Sequence, residues 1–261
     1  LEWHDRTGAV ALQTLIGGGI FGLTITNDGN DATNDISVAV GAAVDSTENR
    51  VIRYGTALVK QLDAAWAVGN NAGMRDTGAI ANTTYHIHLI HRSDTGVSDY
   101  LASASATAPT MPTSYDYRRR IGSIMREGGV IVPFFQRGDH FQRLLPIQDV
   151  NATNPGIAAV TRTLSVPIGI KVLAQLSVIN VNATTAGNVV YLTDLDVTNN
   201  APDSATFFTV RTGTAGEQAT EDTVVVTNAS AQIRSRLSTS GVSDALIIVT
   251  KGWFDLREVN A

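Results

Sequence analysis

No cysteine occurs anywhere in the chain, which excludes a disulfide framework and any thiolate metal site. Stability must therefore come from packing or from oligomerisation. Charge is scarce as well: 16% of the 261 residues are Asp, Glu, Lys or Arg, against 43% hydrophobic residues. Thr, Ser, Asn and Gln are left to carry much of the polar surface, the balance of a neutral, adhesive, sheet-rich protein. The net charge of -5 lacks the broad positive field that a phosphate backbone requires, which argues against nucleic acid as a main partner. No run of about 18 apolar residues is present to span a membrane as a helix. Leu1-Glu2-Trp3-His4-Asp5-Arg6 is not the basic start of a signal peptide, and a first residue other than Met suggests processing or a fragment of something longer.

What the chain does have is a period of two. Val172, Ala174, Leu176 and Val178 alternate with Leu173, Gln175, Ser177 and Ile179, for longer than a helical stripe permits. Tyr85, Ile87 and Leu89 alternate with His86 and His88, and Ala231, Ile233, Ser235 and Leu237 with Gln232, Arg234 and Arg236. Both read as half-buried antiparallel strands. Shorter runs at 36–40, 130–135, 189–193, 207–212, 222–227 and 245–250 are separated by Gly, Asn, Asp and Pro clusters. That spacing belongs to sandwiches or barrels and not to βαβ units. Helix is expected only over Asp63–Val68, where Gly69 ends it after little more than a turn.

These patterns predict an all-β protein of two antiparallel β-sandwich or jelly-roll-like domains, with a short N-terminal arm and minimal helix. The glycines Gly17-Gly18-Gly19 set off residues 1–19 as a tether or swapped arm. Two prolines, turn residues and weak periodicity over 142–156 place a boundary near Asn151, giving domains of 20–150 and 151–261.

The first region holds, in order, the blocks Asn30–Ile36, Leu62–Gly69, Thr77-Gly78, Ala81–His86, Arg92–Val97, Ala108–Pro112, Tyr115-Asp116 and Arg118–Ile124. Together they resemble a module of tail-fibre-like proteins from bacteriophages that infect Gram-negative bacteria. The C-terminal region resembles the module that often follows it, through Leu164–Lys171, Ser230–Arg234 and Gly252–Arg257. One departure is the tail: Glu258-Val259-Asn260-Ala261 stands where a short basic segment is common in that family. The resemblance implies a virion structural role, with assembly in the host cytoplasm and a place in the phage tail. It also implies a homotrimer that contacts other tail proteins and a host-surface glycan or outer-membrane protein. Alternatives from other classes are a capsid decoration or tail connector protein, and a polysaccharide depolymerase.

Candidate chemistry is sparse. His86 and His88 share a strand face and could share a metal, but His91 points the other way and no further ligands are spaced to complete a site. Exposed or interface histidines are the preferred reading, and no metal or other cofactor is expected. Asp28, Asn30, Asp31, Asn34 and Asp35 lack calcium-loop spacing and read as turn formers. Asp194 with Asp196, or Glu127 with Asp139, could be imagined as a glycosidase pair, but any acidic chain offers such pairs. Hydrolase, metalloprotease and phosphate-loop motifs are absent, so a non-enzyme is expected. Among Arg118, Arg119 and Arg120, one is expected to pair inward with a carboxylate such as Asp116 or to lie at a subunit interface, in preference to a polyanion site. Trp253-Phe254 could stack on a sugar, although a core or inter-subunit position is favoured. The preferred receptor contact is the loop holding Thr198, Asn199, Asn200, Asp203 and Ser204, whose side chains can satisfy sugar hydroxyls.

Overall fold

The computed structural model describes residues 19–183 and 186–257, and none of these residues is helical. The proposed arm, apart from Gly19, and the tail 258–261 lie outside the described residues. The chain forms two compact units, the first ending at Asp139 and regaining the chain from Leu256, the second spanning His140–Asp255. The division falls between Asp139 and His140 and not near Asn151, which lies inside a strand.

Unit 1 contains β1 (Ile20–Gly22), β2 (Ile25–Asn27), β3 (Asp35–Val38), β4 (Gly41–Val44), β5 (Val51–Tyr54) and β6 (Leu58–Ala65). They are followed by β7 (Ala72–Arg75), β8 (Thr84–His91), β9 (Ser98–Ser103), β10 (Tyr117–Glu127), β11 (Val130–Ile131) and β12 (Phe134–Arg137). An eight-stranded sheet runs β11-β10-β8-β9-β7-β6-β3-β2, and a three-stranded sheet β1-β4-β5 packs on it through β4 and β5. Pairing is antiparallel except at β7, which lies parallel to both β6 and β9. Gly73 makes this insertion possible, because a Cβ there would meet the Ala65 carbonyl oxygen at 2.0 Å.

The helix expected over Asp63–Val68 is a strand through Ala65. The alternation Leu58, Lys60, Leu62 continues into it, and so short a helix-favouring run cannot nucleate a helix against a sheet already laid down. The run 130–135 is split by Pro133 into β11 and β12, since proline has no N–H for the ladder.

Unit 2 contains β13 (His140–Thr153), β14 (Val160–Thr163), β15 (Leu173–Asn182), β16 (Val189–Thr193), β17 (Val210–Arg211), β18 (Glu217–Val226), β19 (Gln232–Leu237) and β20 (Ala245–Phe254). Two sheets ordered β13-β20-β15-β18 and β14-β19-β16-β17 enclose the core. In β15 the buried residues Ala174, Leu176, Val178, Asn180 and Asn182 alternate with half-buried ones, as the period of two predicts. The segment 142–156, expected as a boundary loop, is largely β13. Its Pro146 falls where the register with β20 shifts between Gln142 and Ile147, so the missing N–H costs no ladder bond. Trp253 and Phe141 stack with centroids 5.6 Å apart inside this unit, which places Trp253 in the core. Phe254 instead stacks on the His140 ring at 4.4 Å.

Candidate functional site

In unit 1 the strand β8 is buried along its whole length, not half-buried as its alternation suggested. One face lies toward β5. The other is covered by residues 104–116: Met111 and Tyr115 pack with Trp66 against Ile90 and Leu101. His86, His88 and His91 are therefore interior groups and not exposed ones. The His86 Nδ1 and the Ser123 hydroxyl lie 2.9 Å apart, as do the His91 Nδ1 and the Ser98 hydroxyl at 2.8 Å. The His88 Nε2 lies 3.1 Å from the Ser105 carbonyl oxygen, which can only accept, so this nitrogen carries the proton. Burial, ahead of the nearby positive charges, pushes the His88 imidazole down to about 3, and it is neutral at any physiological pH. Among the described residues no group of three or more His, Asp or Glu converges as metal ligands.

The arginine triplet is distributed by strand geometry. Arg119 points inward, but it donates to the Arg257 carbonyl at 2.9 Å and does not pair with Asp116. Asp116 instead takes hydrogen bonds from the Ser93 amide and hydroxyl. Arg118 and Arg120 fall on the other face of β10, where their register partners on β8 are Ile90 and His88. With Ser46, Thr47, His88, Ala106 and Thr107 they line a recess of about 260 Å³.

In unit 2 a wider open groove of about 490 Å³ lies between β16 and β18. Tyr191, Asp194, Val197, Phe208 and Glu221 line it, and Phe208 is 47% exposed. The loop singled out in the sequence borders it through Val197. Within that loop Thr198, Asn199, Asp203 and Ser204 are exposed and Asn200 is half-buried. Several also hold the loop's own shape. Asp203 accepts from the Ala205 and Thr206 amides, which holds its carboxyl below the usual range. Asn199 accepts from Arg236, and the Thr198 carbonyl accepts from the Asn200 amide. Tyr191, in β16, and Phe208, in the loop before β17, escaped sequence reasoning because an aromatic side chain in a short segment carries no mark of exposure.

The imagined glycosidase carboxylates have structural work. Asp194 accepts from the Asp196 amide at 2.9 Å, Asp196 pairs with Lys171 at 2.5 Å, and Asp139 pairs with Arg257 at 2.9 Å. The acidic cluster at Asp28–Asp35 is built of side-chain turns. Asp28 accepts from the Asn30 amide and the Ser37 hydroxyl, and Asp31 from the Thr33 and Asn34 amides.

No family model matches the chain, and no curated protein matches it. Among solved structures it is similar to one of infectious bursal disease virus, Gx strain, at 11% identity and a TM-score of 0.22, over 89% of this chain and 70% of that one. A structure of the Gt strain is similar at 12% identity and a TM-score of 0.21, over 89% of this chain and 65% of that one. The VP2 subviral particle of the same virus gives 11% identity and a TM-score of 0.15, over 92% and 77% of the two chains. Scores this low do not establish a shared topology. The chain is an all-β protein of two sandwich-like units.

Proposed function

We propose that the chain is a non-enzymatic structural protein of a bacteriophage virion, a tail-fibre-like component that contributes to attachment to the host surface. The ordered blocks at 30–124 and 164–257 that resemble such proteins supply the virion role. The observation that carries the attachment role is the open groove of unit 2, where Tyr191 and Phe208 stand with Asp194 and Glu221, and Val197 leads from it into the polar loop 198–204. Aromatic faces with hydrogen-bonding groups at their edge are what a sugar ring needs, apolar contact on one side and satisfied hydroxyls around it. A groove this open holds a glycan weakly. Three copies in a homotrimer, joined to other tail proteins, make later contacts intramolecular, so weak single sites suffice.

Labelled protein incubated with Gram-negative cells that host the phage is expected to bind them and to slow phage adsorption. Phe208→Ala is expected to lose labelling without a change in melting temperature. If saturating protein neither labels cells nor slows adsorption, the attachment role fails, and binding to empty capsids in the same assay would replace it with decoration. Release of reducing ends from host polysaccharide would replace it with a depolymerase. Native mass measurement at micromolar concentration is expected to give the trimer, and a clean monomer would contradict it.

A further inference from the structure

The recess of unit 1 combines features that a merely structural pocket does not need. Two guanidinium groups, Arg118 and Arg120, enter it from one face of β10, Arg120 also donating to the Ser123 hydroxyl at 3.1 Å, and no acidic side chain is among the described residues that line it. Arg118 spends one N–H on the Thr107 carbonyl at 2.7 Å, out of the five that a guanidinium offers. At the floor His88 is 1% exposed, and with its proton on Nε2 toward Ser105, its Nδ1 is a bare acceptor with no hydrogen-bond partner. A buried acceptor without a partner costs about 1–3 kcal/mol, so its persistence beside a recess calls for a donor from outside. Ser46 donates to the Arg118 carbonyl at 3.0 Å, which ties the loop after β4 to β10 and brings the Ser46 and Thr47 hydroxyl oxygens to the rim.

We propose that this recess binds an acidic sugar unit, its oxyanion held by Arg118 and Arg120 and one of its hydroxyls donating to the His88 Nδ1. The oxyanion follows from the guanidinium pair, which takes a carboxylate or a phosphate in the same planar fork. The hydroxylated body follows from the neutral imidazole and the rim hydroxyls, which a bare anion would leave unused. The size follows from the volume: about 260 Å³ is below the range of roughly 300–1,000 Å³ that accommodates a drug-sized molecule, and suits one monosaccharide unit. The inference does not rest on attachment to cells, since the recess would bind such a sugar in a protein that never meets a host.

Titration calorimetry of the full chain with glucuronate, glucose 6-phosphate, glucose and inorganic phosphate tests it. One or both acidic sugars are expected to bind at least tenfold more tightly than glucose and than inorganic phosphate, and which of the two wins tells a carboxylate from a phosphate ligand. Arg118 is only half-buried, so Arg118→Gln is expected to fold normally and to lose at least tenfold in affinity. Arg92→Gln, which removes a surface arginine paired with Asp94, is the control and is expected to bind as the parent does. Equal binding of glucose and the acidic sugars, no binding of any, or unchanged affinity in Arg118→Gln would overturn the site. Inorganic phosphate binding as tightly as glucose 6-phosphate would overturn its recognition of sugar.

Discussion

Unit 1 buries a lysine–aspartate pair side by side, whereas unit 2, whose buried charges are Arg143, Asp244 and Asp255, gathers neutral amides at one end of β15. Lys60 and Asp99 are fully buried and 3.1 Å apart, and the Lys60 ammonium also donates to the Ala67 and Gly69 carbonyls. Asp99 accepts from the Gly69 and Tyr100 amides, and the Trp66 ring stands 5.8 Å from the ammonium. Burial pulls Lys60 down and Asp99 pushes it back up, so the pair survives because all three ammonium protons have takers and both carboxylate oxygens accept. In unit 2 Asn180, Asn182, Asn188 and Thr212 are buried together near one end of β15. The Asn180 amide donates to the Asn188 carbonyl at 3.1 Å, and the Asn182 amide to the Thr212 hydroxyl at 3.2 Å. A sheet covered on both faces, like that around β8, shuts its polar groups away from water, so each one left unbonded, as the His88 Nδ1 and the Tyr100 hydroxyl are, is costly. Unit 2 leaves one face of β15 half-buried and closes the end of its core with neutral bonds and with the Asp244 carboxylate, which accepts from the Ala183 and Gly241 amides.

The largest test of that contrast is Lys60→Met. It strands a carboxylate in a dry interior and is expected to cost about 3–5 kcal/mol. Urea unfolding followed by hydrogen exchange should show the loss in β6, β8 and β9 while β15 and β20 keep their protection. Loss spread evenly over both units would break the comparison. Asn180→Ala should cost less, about 1–3 kcal/mol, because the stranded partner is neutral. Its effect is expected in β15 and β16, again by exchange.

Asp35 sharpens the contrast from the side of titration. Burial first, then the neighbouring carboxylates of Asp31, Asp63 and Asp28, push its carboxyl up to about 6 from an ordinary 3.8. Between those values the folded protein holds a proton that the unfolded chain has released. The stability this proton confers is therefore full below about pH 4 and lost as pH rises through 6. Asp35→Asn is expected to stabilise the protein at pH 7 by roughly 1–2 kcal/mol and to flatten that segment of the pH profile of the melting temperature. A parent profile that rises between pH 4 and 6 and stays unchanged in Asp35→Asn would sink this account. The smallest effect belongs to Lys171→Gln. The Lys171–Asp196 pair is more than half exposed on both sides, and its loss should shift stability by no more than about 1 kcal/mol.

Much of this was legible in the chain and some was not. The alternation at 172–179 identified β15 and its apolar face, because a period of two is imposed by the backbone itself. The same alternation at 85–89 located β8 but misjudged its exposure. Its second face is covered by residues 104–116, whose Ser, Thr and Pro content reads as a solvent loop. The turn-forming reading of Asp28 and Asp31 matches their bonds to nearby amides, since such bonds are local. The partner of Arg119 was missed because Arg257 is remote in sequence. The recess of unit 1 was missed for the same reason, assembled as it is from the loop after β4, from β8, from residues 104–116 and from β10.

By itself, then, the sequence determined an all-β chain without disulfides or thiolate sites, the period-two faces of its long strands, and the local turns of its Asp and Asn residues. Each follows from composition or from interactions a few residues long. Only the tertiary structure decided that β7 runs parallel between β6 and β9, that Pro146 sits in a bulge within β13, that the histidines are interior, and that two arginines and one of those histidines share a recess. Those outcomes depend on which distant segment covers a face, and burial of a face is a property of the covering segment as much as of the strand.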